Sequence, residues 1–168
     1  MIRKLRFQRK TLLVVGEGDT EVAFLKYLRS LYCASGKGAK VTVDNAHGKS
    51  PENIVNSAIR HLGSAAFDKK VCLLDTDIAW PPAVCTKAKK NKVTMLGATP
   101  CIEGLFLDIL GVPFASITDE CKSKIASMFN FSLTNERNYP RAFDRNKLDE
   151  ARQRIRTLND LLNFYEAI

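Results

Sequence analysis

The sequence predicts an α/β fold, a mostly parallel sheet of about four strands with helices on both faces, followed by C-terminal helices. Three observations predict it. Short, almost wholly apolar runs rich in Val and Leu recur over the first two thirds of the chain, as strands buried on both faces require. Between them lie segments whose apolar residues repeat at helical spacing. The 168 residues, 45% hydrophobic and 26% charged, suffice for one compact domain with its own core.

Residues 11–15, Thr-Leu-Leu-Val-Val, read as the first strand, which stops at Gly16-Glu17-Gly18-Asp19. From Thr20 onward Val22, Ala23, Phe24, Tyr27, Leu28 and Leu31 recur with a helical period, with Asp19 or Thr20 placed to cap the first turn and Gly36 beyond the end. Residues 41–43 form a second strand. His47-Gly48-Lys49-Ser50-Pro51 is a loop that becomes a helix start, with Ser50 as cap and Pro51 first in the helix, and the apolar face continues through Ile54, Val55, Ala58, Ile59 and Leu62. Residues 71–74 are a third strand running straight into Asp75-Thr76-Asp77. Trp80-Pro81-Pro82 breaks regularity, residues 83–88 suit a short helix, and residues 87–92 hold four lysines and no acid. Residues 93–96 are the fourth strand. Ile102, Leu105, Phe106, Ile109 and Leu110 give the next helix its apolar face, and residues 115–129 give another. From 145 to 168, Leu148, Ala151, Ile155, Leu158, Leu162 and Tyr165 read as one helical stripe, packed on the sheet or a preceding helix, with a homodimer seam as the alternative. The organisation expected is a basic arm over 1–10, an α/β domain over 11–130, and a helical extension over 131–168 packed on that domain.

Lys and Arg number 26 against 18 Asp and Glu, a surplus of +8 that attracts phosphate polymers or anionic membranes. Five cysteines, Cys33, Cys72, Cys85, Cys101 and Cys121, lie too far apart for a Cys-x-x-Cys pair, and His47 and His61 have no metal spacing. Scattered thiols of odd number suit a reducing, cytoplasmic setting. The apolar run after the basic arm is too short for a signal peptide or a membrane span, so no membrane association is expected.

In an open parallel sheet the functional crevice lies at the carboxyl ends of the strands. Glu17 follows the first strand, Glu21 lies four residues on, Asp75 and Asp77 follow the third strand, and Glu103 follows the fourth after a short loop. In an extended Asp-Thr-Asp both carboxylates face one way and Thr76 the other. Carboxylates gathered in one small volume repel each other unless a cation neutralises them, and oxygen-only donors select Mg²⁺ or Mn²⁺ over Zn²⁺. Acids at the centre and surplus basic charge around them suit metal-dependent phosphodiester chemistry. The dinucleotide reading of Gly16-Glu17-Gly18 fails because position 21, where a third glycine belongs, is Glu21, whose charge repels pyrophosphate. Gly36-Lys37-Gly38 and Gly48-Lys49-Ser50 lack the upstream glycine of a phosphate-binding loop.

Val14-Val15-Gly16-Glu17-Gly18-Asp19-Thr20-Glu21 and Leu73-Leu74-Asp75-Thr76-Asp77 together resemble the two signature motifs of the Toprim domain. The likeness is to its RloB-like and OLD-type nuclease branch, through Glu17-Gly18-Asp19-Thr20-Glu21, Gly48-Lys49-Ser50-Pro51, Pro100-Cys101-Ile102-Glu103 and, in the tail, Asn138-Tyr139-Pro140-Arg141. The resemblance implies a Toprim-like, Rossmann-like fold and a Mg²⁺-dependent nuclease site, in a family commonly tied to bacterial defence against foreign DNA. Carried over by position, Glu17, Asp75 and Asp77 are catalytic. Glu17, Glu21, Asp75, Asp77 and Glu103 are the metal ligands, Glu103 for a second ion. Where many relatives carry lysine after the tyrosine, Arg141 stays charged and stabilises phosphate without carrying a proton. Lys49, Lys87, Lys89, Lys90, Lys92 and Arg141, with Arg3, Lys4, Arg6, Arg9 and Lys10 of the arm, are expected to hold the nucleic-acid backbone, DNA ahead of RNA. No ATPase domain like that of OLD-type nucleases is present, which implies action alone or with a separate ATPase or defence partner. The alternatives are an RNA-processing Toprim ribonuclease and a non-catalytic subunit that binds metal and nucleic acid.

Overall fold

The structure, a computed structural model, describes residues 8–48 and 50–168. Four strands, β1 (Thr11–Gly16), β2 (Lys40–Asn45), β3 (Lys69–Asp75) and β4 (Val93–Ala98), form one sheet in the order β2-β1-β3-β4. All three pairings are parallel, so the sheet is Rossmann-like and parallel throughout its described strands. Around it lie α1 (Asp19–Tyr32), α2 (Pro51–Arg60), α3 (Pro82–Lys90), α4 (Ile102–Ile109), α5 (Thr118–Met128), α6 (Arg145–Ala151) and α7 (Arg156–Glu166). None of the described helices is long and apolar enough to cross a membrane.

Alternation along β1 divides the core in two. Leu12 and Val14 pack with Phe24 and Leu28 of α1, Phe106 of α4 and Leu158, Leu161 and Leu162 of α7. Leu13 and Val15 pack with Ile54, Val55 and Ala58 of α2 and Val84 and Ala88 of α3. The chain steps outward from β1 to β2, then reverses across β1 to β3 and goes on to β4. Crossovers of one hand then place α1 on one face and α2 and α3 on the other, as observed. The reversal leaves a crevice between the carboxyl ends of β1 and β3, the topological switch point of the sheet.

Several local expectations change. The N-cap of α1 is Gly18, not Asp19 or Thr20; the Asp19 carboxylate instead accepts from the Asn45 amide at 2.8 Å. Ser50 does cap α2, with Pro51 in its first turn, but the helix ends at Arg60 and leaves Leu62 93% exposed. The single C-terminal stripe is two helices. Turns separate α6 from α7, Ile155 has extended backbone (φ −107°, ψ 101°), and Arg154 swings out to the Asp108 carboxylate at 2.6 Å. Ala151, Ile155 and Leu158 are all buried, so apolar phase runs through the break and periodicity cannot reveal it.

Candidate functional site

At Gly16 a Cβ would come within 2.9 Å of the Glu21 Cβ, so glycine is what lets the first turn of α1 close down on the end of β1. That approach seats Glu21, 5% exposed, beside Glu17. Glu21 is the third helical residue and its Oε2 accepts from the Gly18 N–H at 3.0 Å, so it caps the helix and faces the crevice at once. Glu17 Oε2 accepts from the Asp75 N–H at 3.1 Å and ties β1 to β3. Asp75 Oδ1 accepts from the Ile102 N–H at 3.0 Å, at the start of α4, and Glu103 is the next residue of that turn.

Asp77 departs from the extended Asp-Thr-Asp expectation. The strand ends at Asp75 and the chain bends at Thr76, whose N–H donates to the carbonyls of Ala98 and Pro100 at 3.1 and 3.0 Å. Asp77 is exposed, and its Oδ2 accepts from the Thr118 hydroxyl at 2.8 Å. Its charge still reaches Asp75.

The electrostatics record how closely the acids are grouped. Burial, then repulsion from Glu21, Glu17, Asp77 and Glu103, pushes the Asp75 carboxyl up to about 8. Burial raises Glu21 to about 7, opposed by backbone hydrogen bonds and reinforced by Glu17 and Glu103. Glu103 Oε2 is buried with no hydrogen-bond partner, and a buried carboxyl oxygen left unpartnered is costly. Yet among the described residues no three His, Cys, Asp or Glu side chains converge on one point in this arrangement. Glu17, Glu21, Asp75 and Asp77 are each anchored through one oxygen by the hydrogen bonds above. The donor set, all oxygen, and the orphaned Glu103 oxygen fit a hard divalent cation in chemistry. Closing on one requires the anchored carboxylates to turn about those fixed oxygens.

The basic residues are placed differently from the acids. Lys89 and Lys90 end α3 and Lys92 immediately precedes β4, which puts all three at the amino ends of the strands, opposite the crevice. They do not wall the acidic centre. Lys87 reaches Glu52 at 3.5 Å, and the Arg141 guanidinium lies over the Phe131 ring, 4.2 Å from its centroid. Lys49, Arg3, Lys4 and Arg6 lie outside the described residues. A groove of about 540 Å³ beside α1 is lined by Asp19, Asp44 and Glu136, with Lys26 as the one basic residue among the described residues that line it, so what is described of it is no phosphate cradle.

The roles of two supporting residues escape sequence reasoning. The Trp80 indole N–H donates to the Asp75 carbonyl at 3.0 Å, and its ring lies over Gly97 of β4, where a Cβ would meet it at 3.2 Å. The buried Tyr139 hydroxyl lies 2.8 Å from the Leu133 carbonyl and 3.1 Å from the Thr20 carbonyl, holding the tail under the start of α1. Its phenol is pushed up by burial first, then by Glu21 and Glu103. A tryptophan shortly after an acidic strand end is the only sequence signal for the first; for the second the sequence offers the Asn138-Tyr139-Pro140-Arg141 likeness, and its place under α1 needs the fold.

Compared with protein-family models, curated proteins and solved structures, the chain matches none. Its own geometry is what speaks for the site.

Proposed function

We propose that this chain is a metal-dependent nucleic-acid phosphodiesterase of the Toprim type, acting on DNA ahead of RNA and serving defence against foreign DNA. One observation carries the proposal: burial at the switch-point crevice, then the charges of Glu21, Glu17, Asp77 and Glu103 around it, push the Asp75 carboxyl up to about 8. Such crowding is costly in a merely structural site and useful where a cation is to be bound. Asp75, Glu17, Glu21 and Glu103 would hold Mg²⁺ or Mn²⁺, with Asp77 at the rim. When bound, such an ion neutralises the carboxylates, polarises a phosphoryl oxygen and activates water. The chain's own residues supply the frame. Asp75 is fixed through its carboxylate by Ile102 and through its backbone by Glu17 and Trp80, so it is the rigid centre of the set. With cation absent, Asp75 and Glu21 hold protons more readily near neutral pH than ordinary carboxyls, and the crevice offers a phosphate backbone no positive charge.

The second reading, a non-catalytic subunit that binds metal and nucleic acid, draws on the lack of three converged ligands among the described residues. One experiment separates them. Supercoiled plasmid, single-stranded DNA and structured RNA are incubated with the protein in Mg²⁺, Mn²⁺ or EDTA, beside Asp75→Ala/Asp77→Ala. The phosphodiesterase reading expects cleavage that EDTA and the double change both abolish. Cleavage surviving both sinks it, and metal-independent binding without cleavage favours the subunit.

A further inference from the structure

The basic surplus gathers at the end of the sheet away from the crevice. Every strand is entered through lysine: Lys10 precedes β1, Lys40 opens β2, Lys69 opens β3 and Lys92 precedes β4. Strand register brings their backbones to one end of the sheet, with Thr11 opposite Lys40 and Leu12 opposite Lys69, and the Lys40 N–H bonded to the Lys10 carbonyl at 2.8 Å; alternation turns Lys10 and Lys69 toward the α7 side of that end and Lys40 toward the other. Lys89 and Lys90 in the last turn of α3 extend the row. All six are exposed, and none is in an ion pair among the described residues. Residues 1–7 and 49 contain no acid that could pair them.

Neighbouring acids offset only part of the positive charge of this surface. Arg9 is spent on the turn before β2, donating to the carbonyls of Cys33, Lys37, Gly38 and Ala39. Lys70 is half-buried with its ammonium 3.4 Å from the Ser64 hydroxyl. Asp68 is the acid beside Lys10 and Lys69; its carboxylate accepts from the Thr11 N–H and hydroxyl at 2.7 and 2.9 Å, and its single negative charge offsets part of theirs. Glu166, near the same end, pairs with Arg152 at 2.6 Å.

We propose that Lys10, Lys40, Lys69, Lys89, Lys90 and Lys92 form an anchoring surface for a nucleic-acid backbone, separate from the acidic crevice at the other end of the sheet. The choice of nucleic acid over an anionic bilayer rests on the phosphodiesterase reading of that crevice. Three strand spacings make the row about 14 Å wide, enough to meet several phosphates at about 3.4 Å per step of each strand. The six residue steps of β3 from Lys69 to Asp75 set it about 20 Å from the crevice. Lysine side chains without a planar fork hold phosphate as point charges and read no sequence. Since the crevice of acids offers phosphate no positive charge without a cation, metal-independent binding belongs to this surface.

The test is fluorescence anisotropy of a labelled DNA duplex in EDTA over a salt series, with the unaltered chain, two triple variants and Asp75→Asn. The variants are Lys10→Gln/Lys40→Gln/Lys69→Gln and Lys89→Gln/Lys90→Gln/Lys92→Gln, each checked for folding by circular dichroism, so that one serves if the other fails to fold. Each triple variant is expected to bind tenfold or more weakly at about 0.1 M salt and to lower the salt slope by up to about 2.7, at about 0.9 for each phosphate no longer neutralised. Asp75→Asn is expected to bind as tightly as the unaltered chain. Unchanged affinity and slope in the folded triple variants overturn the anchor, as does binding in EDTA that Asp75→Asn abolishes. Binding to vesicles of phosphatidylcholine with phosphatidylserine, without binding to DNA, overturns it in favour of a membrane surface. Lysine-dependent binding with no Mg²⁺- or Mn²⁺-dependent cleavage keeps the anchor and sinks the phosphodiesterase reading instead.

Discussion

Asp75→Asn should stabilise the cation-free protein while impairing its site. Asparagine keeps the shape of the side chain and an oxygen for the Ile102 N–H, but it removes a charge that the crevice disfavours. The Asp75 carboxyl titrates at about 8 when folded against an ordinary 3.8. An acid raised in this way stabilises the fold fully below about pH 4, and that contribution is lost as pH rises toward 8. At pH 7 the interval above 3.8 corresponds to about 4 kcal/mol at about 1.4 kcal/mol per unit, which partial solvent screening reduces to about 2–3 kcal/mol. At pH 5 the same reasoning leaves about 1 kcal/mol. Urea unfolding in EDTA at the two pH values measures both differences. The variant should be more stable than the unaltered chain at pH 7, by a melting shift of about 5–10 °C, and its advantage should shrink at pH 5. Mg²⁺ should stabilise the unaltered chain more than the variant. A variant that is less stable at pH 7, or whose advantage does not change with pH, refutes the burial and crowding of Asp75 on which the site rests.

Glu21→Gln keeps an acceptor for the Gly18 N–H and should match or exceed the unaltered stability at pH 8, whereas Glu21→Ala loses the cap and should unfold about 1 kcal/mol more readily in urea than Glu21→Gln. Gly97→Ala puts a Cβ 2.6 Å from the Thr76 methyl and 3.2 Å from the Trp80 ring; it should cost about 1–3 kcal/mol in urea unfolding and weaken Mn²⁺ binding by calorimetry, because the bend carrying Asp77 must move. Tyr139→Phe leaves the Leu133 and Thr20 carbonyls without their hydroxyl partner and should cost about 1–2 kcal/mol in the same assay.

The parts of the fold legible in the sequence are those that burial writes into composition. β1 and β3 are apolar on both faces, so their positions, and hence the places of Glu17 and Asp75 at their ends, follow from unbroken Val and Leu runs. Ser50-Pro51 announces α2 through local chemistry alone. The place of Asp77 is not legible, because strand alternation applies only while the backbone stays extended, and it bends at Thr76. Charge alone groups Lys89, Lys90 and Lys92 with the acids, although any residue just before a parallel strand lies at the end opposite the residue just after one. The double role of Glu21, as helix cap and crevice wall, depends on how closely α1 approaches Gly16, a distance no local pattern encodes.

A Mn²⁺-soaked crystal measured for anomalous scattering tests the central claim most directly. A Mn²⁺ peak coordinated by Asp75 and at least one of Glu17, Glu21 and Glu103, lost in Asp75→Asn, is the result expected. Full Mn²⁺ occupancy elsewhere on the molecule with none in the switch-point crevice would contradict it.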